Sequence, residues 1–299
     1  MLTKAQIEEY REVGGIVVEN VLSAAEVAEL RRVTDELVER SRNLTKADDV
    51  YDLEEAHTPE RPLVRRIKRP DRVHPVYGNL IRHRGIVEVL CDLWGPDVRY
   101  EWAKLNMKSA GFGAAVEWHQ DWAFYPHTND DLAAVGIMMD DMLLENGPLL
   151  ILPGSHKGPI YDHHVDGIFV GAIDPTTTDL DFSKAKALVG PAGSISVHHV
   201  RTIHGSGLNT SDRDRRLLLL QYRAADAWPL IKPPSDIAEY DRMMVAGTTR
   251  QPRMADLPVR VPLPESALTG SIYERQSTLR NRYFGTAGAP KEKALQSAK

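Results

Sequence analysis

The amino-acid sequence predicts a mainly β protein with flanking helices, arranged as an antiparallel sandwich or jelly roll. Helical spacing of apolar residues is confined to roughly the first third of the chain. From about residue 98 the pattern changes to short apolar segments bounded by glycine and proline, which is typical of antiparallel all-β folds. No internal repeat is found, and 299 residues are enough for one large domain with a substantial core.

The N-terminal helices are indicated by capping residues. The Ser/Thr-x-x-Glu/Gln signature of a capping box occurs at 3–6 and again at 23–26. The second helix is expected to end before 41–62, a polar and aperiodic segment that favours a loop. The segment 86–94 is typical of a buried helix that stops at a Gly-Pro pair. We expect these helices to buttress the sheets.

Short strands are expected along the middle of the chain, at 98–107, 133–144, 149–152, 194–197 and 217–222. We predict a single domain over 1–285, in which 157–190 forms an insertion that could act as a lid. The composition of 286–299 predicts a disordered tail.

Bulk composition excludes several classes of protein. The net charge of −5 gives no electrostatic reason to bind nucleic acid or a membrane surface. A single cysteine, Cys91, excludes an internal disulfide and a zinc ribbon. No stretch approaches the roughly 20 apolar residues of a membrane span, and no signal peptide is indicated. We therefore expect a cytoplasmic protein with a small-molecule substrate; the oligomeric state is not predicted.

Three residues have the composition of a metal centre. His119 and Asp121 are two positions apart, so on a strand both side chains point to the same face. His204, much further along, completes a set of two imidazoles and one carboxylate. This set is typical of non-haem Fe(II) oxygenases. A His-x-Asp pair alone occurs often by chance, and its alternative interpretation is a surface turn.

Three longer motifs, in this order, support the metal interpretation. They are WHQDWAFYP at 118–126, LPGSHKG at 152–158 and HGSG at 204–207. Together they resemble the phytanoyl-CoA dioxygenase family over most of residues 1–225. The resemblance implies a double-stranded β-helix, which is a cupin-like jelly roll. It also implies an enzyme that uses Fe(II), 2-oxoglutarate and O2, with its metal ligands at the three positions named above.

The same resemblance implies co-substrate contacts. Arg215 follows the distal histidine by eleven residues, where the family places the arginine that holds the distal carboxylate of 2-oxoglutarate. A guanidinium suits that bidentate pairing, although two neighbouring arginines are rivals. Lys104, Arg66 and Ser206 match further co-substrate contacts, with a turn-forming role as the alternative for Ser206. The sequence departs from the family at Gly136, where a tryptophan often stands beside the co-substrate.

The expected reaction is hydroxylation of a C–H bond in a small organic molecule, with release of succinate and CO2. Because the carboxylate of Asp121 is present, oxygenation is favoured over the halogenation that related enzymes lacking this ligand perform. An acyl-CoA, an amino acid, a phosphonate or a secondary metabolite remain possible substrates. The alternative function is that of a cupin-like metal-binding protein or metal hydrolase that uses zinc or manganese without 2-oxoglutarate.

Substrate contacts are expected close to the metal ligands. Trp122, Phe124 and His127 are candidates, with packing in the core as the alternative for the aromatic residues and a hydrogen-bonded loop position for the histidine. The pairs at 163–164 and 198–199 favour one buried histidine each over a second metal site, because adjacent strand residues point to opposite faces. The basic run at 65–69 indicates either a solvated face or a contact with an anionic group.

Overall fold

The computed structural model describes residues 1–111, 113–257 and 271–285, and most of its strands belong to two antiparallel sheets. The strands are β1 (Gly15–Val18), β2 (Tyr51–Leu53), β3 (Val64–Lys68), β4 (Val98–Lys108), β5 (Val116–His119), β6 (Leu132–Met138), β7 (Leu149–Ile151), β8 (His164–Val165), β9 (Ile168–Phe169), β10 (Lys186–Leu188), β11 (Ile195–His199), β12 (His204–Ser206), β13 (Arg215–Ala224) and β14 (Met244–Ala246).

The larger sheet has the order β1-β11-β6-β13-β4-β3-β2, with β14 added beside β4. The smaller sheet has the order β10-β7-β12-β5, and β8 pairs with β9 as a hairpin. Neighbouring strands in both sheets are often far apart in sequence, as in a jelly roll. The predicted mainly β fold with flanking helices is confirmed.

The helices lie mostly in the N-terminal third, as predicted. They are α1 (Lys4–Val13), α2 (Ala24–Arg40), α3 (Pro70–Val73), α4 (Pro75–Leu80), α5 (Arg84–Trp94), α6 (Ile237–Arg242) and α7 (Ile272–Gln276). Both predicted capping boxes form: the hydroxyl of Thr3 accepts a hydrogen bond from the amide of Gln6, and Ser23 does the same for Glu26. These bonds satisfy backbone donors that a helix start leaves free.

Strand β13 shows how the larger sheet separates core from cavity. Leu218, Leu220 and Tyr222 pack with the helices in the main hydrophobic core. Leu217 and Leu219 alternate with them and face a cavity between the two sheets. A strand with apolar residues on both faces is thus covered on one side by helices and on the other by the smaller sheet.

Some elements differ from the prediction. The expected loop at 41–62 contains β2, which pairs with β3 at the edge of the larger sheet. The strand has only three residues, which is too short for an alternating pattern to be recognised, although Tyr51 and Leu53 both contact the main core. Helix α7 was not predicted. The segment 157–190 contributes β10 to the smaller sheet; its opening as a lid, like the single-domain organisation, stays a prediction. The tail at 286–299 lies outside the described residues.

None of the helices in the described ranges is both long enough and apolar enough to cross a membrane. The expected cytoplasmic location stays a prediction.

Candidate metal centre and active site

His119, Asp121 and His204 meet between the two sheets. His119 ends β5 and pairs in register with His204, which begins β12. Asp121 follows in a short 3-10 turn (Asp121–Ala123). One ligand atom from each residue lies within 4.8 Å of the others, and the Nε2 atoms of both histidines are 3.9 Å from Asp121 Oδ1. In the described parts of the chain, this is the one cluster with such geometry.

Hydrogen bonds orient both imidazoles. Nδ1 of His119 lies 2.8 Å from the carbonyl oxygen of Glu117, and Nδ1 of His204 lies 2.8 Å from that of Thr202. With Nδ1 donating, each Nε2 keeps its lone pair for a metal. Burial lowers the pKa of His119 to about 4 and that of His204 well below its usual range. Both rings are therefore neutral at physiological pH, as ligands must be.

Asp121 supplies the negative charge. Burial opposes its ionisation, but His204, His198 and Lys104 outweigh that cost and hold the pKa of Asp121 well below its usual range. Two neutral imidazoles and one carboxylate on one side of a metal leave the other positions open to a chelating co-substrate and O2. The residues present therefore fit Fe(II).

We call the space around these ligands the triad cavity. Its walls come from both sheets and from α7, and the polar lining residues other than the three ligands are Lys104, Asn106, Lys108, His198, Ser206, Arg215, Gln221 and Tyr273.

Arg215 lies in the triad cavity with its side chain buried. Its Nη2 donates to the carbonyl oxygen of Gly147 at 2.5 Å, whereas its Nε has no hydrogen-bond partner among the described residues. The rivals lie elsewhere: Arg213 is exposed, and Arg216 forms ion pairs with Asp140 and Asp35. Of the three arginines, only Arg215 faces the metal ligands.

Lys108 is a cavity residue that sequence reasoning missed. It is buried, and its Nζ donates to the carbonyl oxygens of Ser206 and Gly207. Burial, followed by the nearby charge of Arg215, lowers its pKa well below the usual range. The signal was available, since alternation along β4 puts Lys108 on the same face as Lys104.

A second pocket, the cation pocket, adjoins the triad cavity and shares four lining residues with it: Trp102, Lys104, Asp121 and Ile272. Its lining residues are Arg66, Trp102, Lys104, Asp121, Phe124, Tyr125, Ile272 and Arg275. Arg66 belongs to this pocket and does not line the triad cavity with Arg215. Its role as a co-substrate contact stays a prediction.

Two candidate substrate contacts lie away from both pockets. Trp122 packs in a hydrophobic cluster with Leu132 and Val200. His127 is buried, accepts a hydrogen bond at Nε2 from Arg223 at 2.6 Å, and has its pKa lowered to about 4 by burial. The alternatives foreseen for them, packing and a hydrogen-bonded loop position, match where they lie. Phe124 does line the cation pocket.

Gly136 lies in a crowded part of the larger sheet. A Cβ at this position would lie 2.6 Å from Ser196 Oγ and 3.1 Å from a methyl carbon of Leu217. A larger side chain therefore has no room here unless these neighbours move.

The C-terminal segment 271–285 forms part of the wall of the triad cavity. The side chain of Gln276 accepts from the amide of Glu117 at 2.9 Å and donates to the carbonyl oxygen of Gly171 at 2.8 Å. The Glu117 carboxylate accepts from the backbone amides of Tyr283 and Phe284. The segment is thus fastened to β5, the strand that carries His119. Apart from helix capping residues, no motif in the sequence points to this role.

The fold and the ligand geometry define the class of a non-haem iron oxygenase. Comparison with known protein families identifies the particular family. The family model described as Phytanoyl-CoA dioxygenase (PhyH) matches residues 10–217, and the chain belongs to this family.

Known proteins agree with this assignment. A probable alpha-ketoglutarate-dependent hypophosphite dioxygenase of Stutzerimonas stutzeri is 39% identical over 93% of this chain and 99% of its own length. EctD from S. alaskensis with bound Fe has a TM-score of 0.64 at 22% identity and covers 84% of this chain and 87% of its own. EvdO2 from Micromonospora carbonacea var. aurantiaca complexed with 2-oxoglutarate has a TM-score of 0.57 at 25% identity, covering 79% and 96%.

The protein is therefore an Fe(II)- and 2-oxoglutarate-dependent oxygenase, as predicted. The alternative of a metal hydrolase without 2-oxoglutarate is not supported.

Proposed function

We propose that this oxygenase oxidises a small anion, which binds in the cation pocket beside the metal ligands. Arg66, Lys104 and Arg275 bring three cationic side chains to this one space. In the described parts of the chain no carboxylate forms an ion pair with any of them, and the Nε atoms of both arginines lack hydrogen-bond partners. All three residues are partly buried, and a cation withdrawn from water is costly unless an opposite charge compensates it. An anionic ligand would supply that charge.

Within the proposal, His119, Asp121 and His204 hold the iron and Arg215 holds the distal carboxylate of 2-oxoglutarate. The cofactor, when bound, supplies oxygen activation. Lys104 lies where the two pockets meet, so it can orient the substrate relative to the metal.

Hypophosphite, named for the 39% identical relative, is the first candidate substrate. Its oxidation inserts one oxygen atom of O2 into a P–H bond. The second oxygen atom enters succinate as 2-oxoglutarate loses CO2. Hypophosphite, 2-oxoglutarate and O2 thus give hydrogen phosphite, succinate and CO2, with atoms and charge balanced.

The experiment is a substrate screen with the protein supplied with Fe(II), 2-oxoglutarate and O2. Hypophosphite, methylphosphonate and L-proline are compared for stimulated succinate release, and phosphorus NMR identifies the phosphorus product. We expect hypophosphite to stimulate succinate release in step with phosphite formation. L-proline carries an ammonium group beside its carboxylate and has no net charge. Stimulation by L-proline alone would therefore contradict the proposal of an anionic substrate.

Replacing Arg275 tests the cation pocket itself. Arg275→Met should raise the KM for the anionic substrate about 10- to 100-fold, because a hydrogen bond to a charged group contributes about 1.5–3 kcal/mol. The Kd for 2-oxoglutarate should change little. Arg280→Met is the matched control: Arg280 lies on the same segment but is exposed and paired with Asp166 at 2.8 Å. Equal KM values for both variants would place the anion elsewhere.

The pH dependence follows from Lys104. Burial lowers the pKa of Lys104 to about 8, so its ammonium is present below that pH and is lost above it. Substrate affinity should therefore be highest below about pH 8 and fall as the pH rises through this value. The test is to measure the KM for the substrate from about pH 6.5 to about pH 9.5, a range centred on the pKa of Lys104. Lys104→Met should remove the inflection; its persistence in the variant would assign it to another group.

A further inference from the structure

Strand β11 ends in two adjacent histidines that lie in different surroundings. The Nε2 of His199 is 3.7 Å from Asp130, and its Nδ1 accepts a hydrogen bond from the amide of Arg201. His198 lines the triad cavity, and its ring centroid is 4.4 Å from that of His204. Alternation along the strand thus directs one histidine of the pair to the metal ligands.

The two oxygen atoms of Asp121 have different neighbours. Oδ1 is 3.9 Å from the Nε2 atoms of both His119 and His204, which places it toward the metal position. Oδ2 is 3.5 Å from Nε2 of His198. The hydroxyl of Tyr125 and the ammonium of Lys104 also act on this carboxylate. Among the described residues outside the ligand set, His198 is the one that has an ionisable nitrogen within 4.0 Å of the Asp121 carboxylate.

The tautomer of a neutral His198 follows from its other nitrogen. Nδ1 is buried and has no hydrogen-bond partner among the described residues. An unpaired N–H group is rarer in protein interiors than an acceptor with a free lone pair. The proton of a neutral His198 ring therefore belongs on Nε2, where it points to Asp121.

We propose that His198 is a positioning residue that donates a hydrogen bond to Oδ2 of Asp121 and keeps this carboxylate a one-oxygen ligand. If Oδ2 also bound the metal, it would occupy a position needed by 2-oxoglutarate or O2. Outer partners of this kind commonly change metal affinity or activity 10- to 100-fold. The inference rests on the proposed assignment of the iron ligands and is independent of the substrate.

The test is an anaerobic titration of the full-length protein with Fe(II) at saturating 2-oxoglutarate, followed by the visible charge-transfer band of the complex. His198→Phe keeps an aromatic ring but removes the donor, and we expect the Kd for Fe(II) to rise about tenfold with a shifted band. His198→Gln provides an amide donor and should restore the Kd to within about threefold of the wild type. His199→Gln is the control for changes in β11 itself.

The possible outcomes distinguish the assignment of the iron and co-substrate site from the role of His198. A wild-type protein without a charge-transfer band would refute the assignment of the iron and co-substrate site. A normal wild-type band with an unchanged Kd and band position in His198→Phe would overturn the role of His198 alone. Equal losses in the His198→Phe and His199→Gln variants would overturn it as well, because they would trace the effect to distortion of the strand.

Discussion

Asp121→Ala should leave a folded protein that no longer binds Fe(II) tightly and no longer consumes 2-oxoglutarate. The substitution removes the one carboxylate of the ligand cluster, and the two neutral imidazoles that remain cannot balance the charge of the metal. We expect the Kd for Fe(II) to rise at least about 100-fold, since loss of a direct ligand should exceed the effect of losing an outer partner. Calorimetric titration gives the Kd, and circular dichroism confirms the fold.

Glu117→Gln is the matched control for Asp121→Ala. Glu117 is a buried carboxylate on the strand that carries His119, but it accepts hydrogen bonds from Tyr283 and Phe284 and does not face the metal ligands. The amide oxygen of glutamine can still accept these bonds, so Fe(II) affinity should be nearly unchanged. Wild-type Fe(II) affinity in Asp121→Ala would show that the metal is held elsewhere.

Arg215→Met should weaken 2-oxoglutarate binding about 100-fold while the Kd for Fe(II) alone stays close to that of the wild type. Breaking a buried, hydrogen-bonded charge pair costs about 2–5 kcal/mol, and each 1.4 kcal/mol corresponds to a factor of ten. Burial lowers the pKa of Arg215 to about 10, so the guanidinium is still charged at neutral pH. Titration of 2-oxoglutarate into the Fe(II)-loaded protein gives the Kd.

The neighbouring arginine provides the control. Arg216→Met also removes a guanidinium from β13, but that side chain pairs with Asp140 and Asp35 on the opposite face of the sheet. We expect a modest loss of thermal stability and an unchanged Kd for 2-oxoglutarate. If Arg216→Met weakened 2-oxoglutarate binding as much as Arg215→Met, the co-substrate would not lie in the triad cavity.

Local patterns in the sequence were enough for helices α1, α2 and α5 and for the candidate metal ligands. Capping boxes form between residues three apart, so a short motif contains all the information. The same holds for His119 and Asp121, because Gln120 between them is still extended and the 3-10 turn begins only at Asp121. The family motifs then linked His204 to this pair, and the register of β5 with β12 places it there.

Other features of the structure could not be predicted from local sequence patterns. Strand β2 has only three residues, and pairing with β3 stabilises it. Trp122 and Phe124 are two residues apart in one aromatic motif. The turn after β5 nevertheless sends Trp122 into a hydrophobic cluster and Phe124 to the cation pocket. Simple alternation does not hold across such a turn.

The sequence by itself determined the fold class and the dependence on Fe(II) and 2-oxoglutarate, and it singled out the three candidate metal ligands, because short motifs and spacings encode them. Only the tertiary structure decided which of the arginines near His204 faces the cavity, that Arg66 and Arg275 share a pocket, and that His198 faces Asp121. The physical reason is that strand pairing and sheet packing join residues up to about two hundred positions apart, a distance over which no periodic pattern carries information.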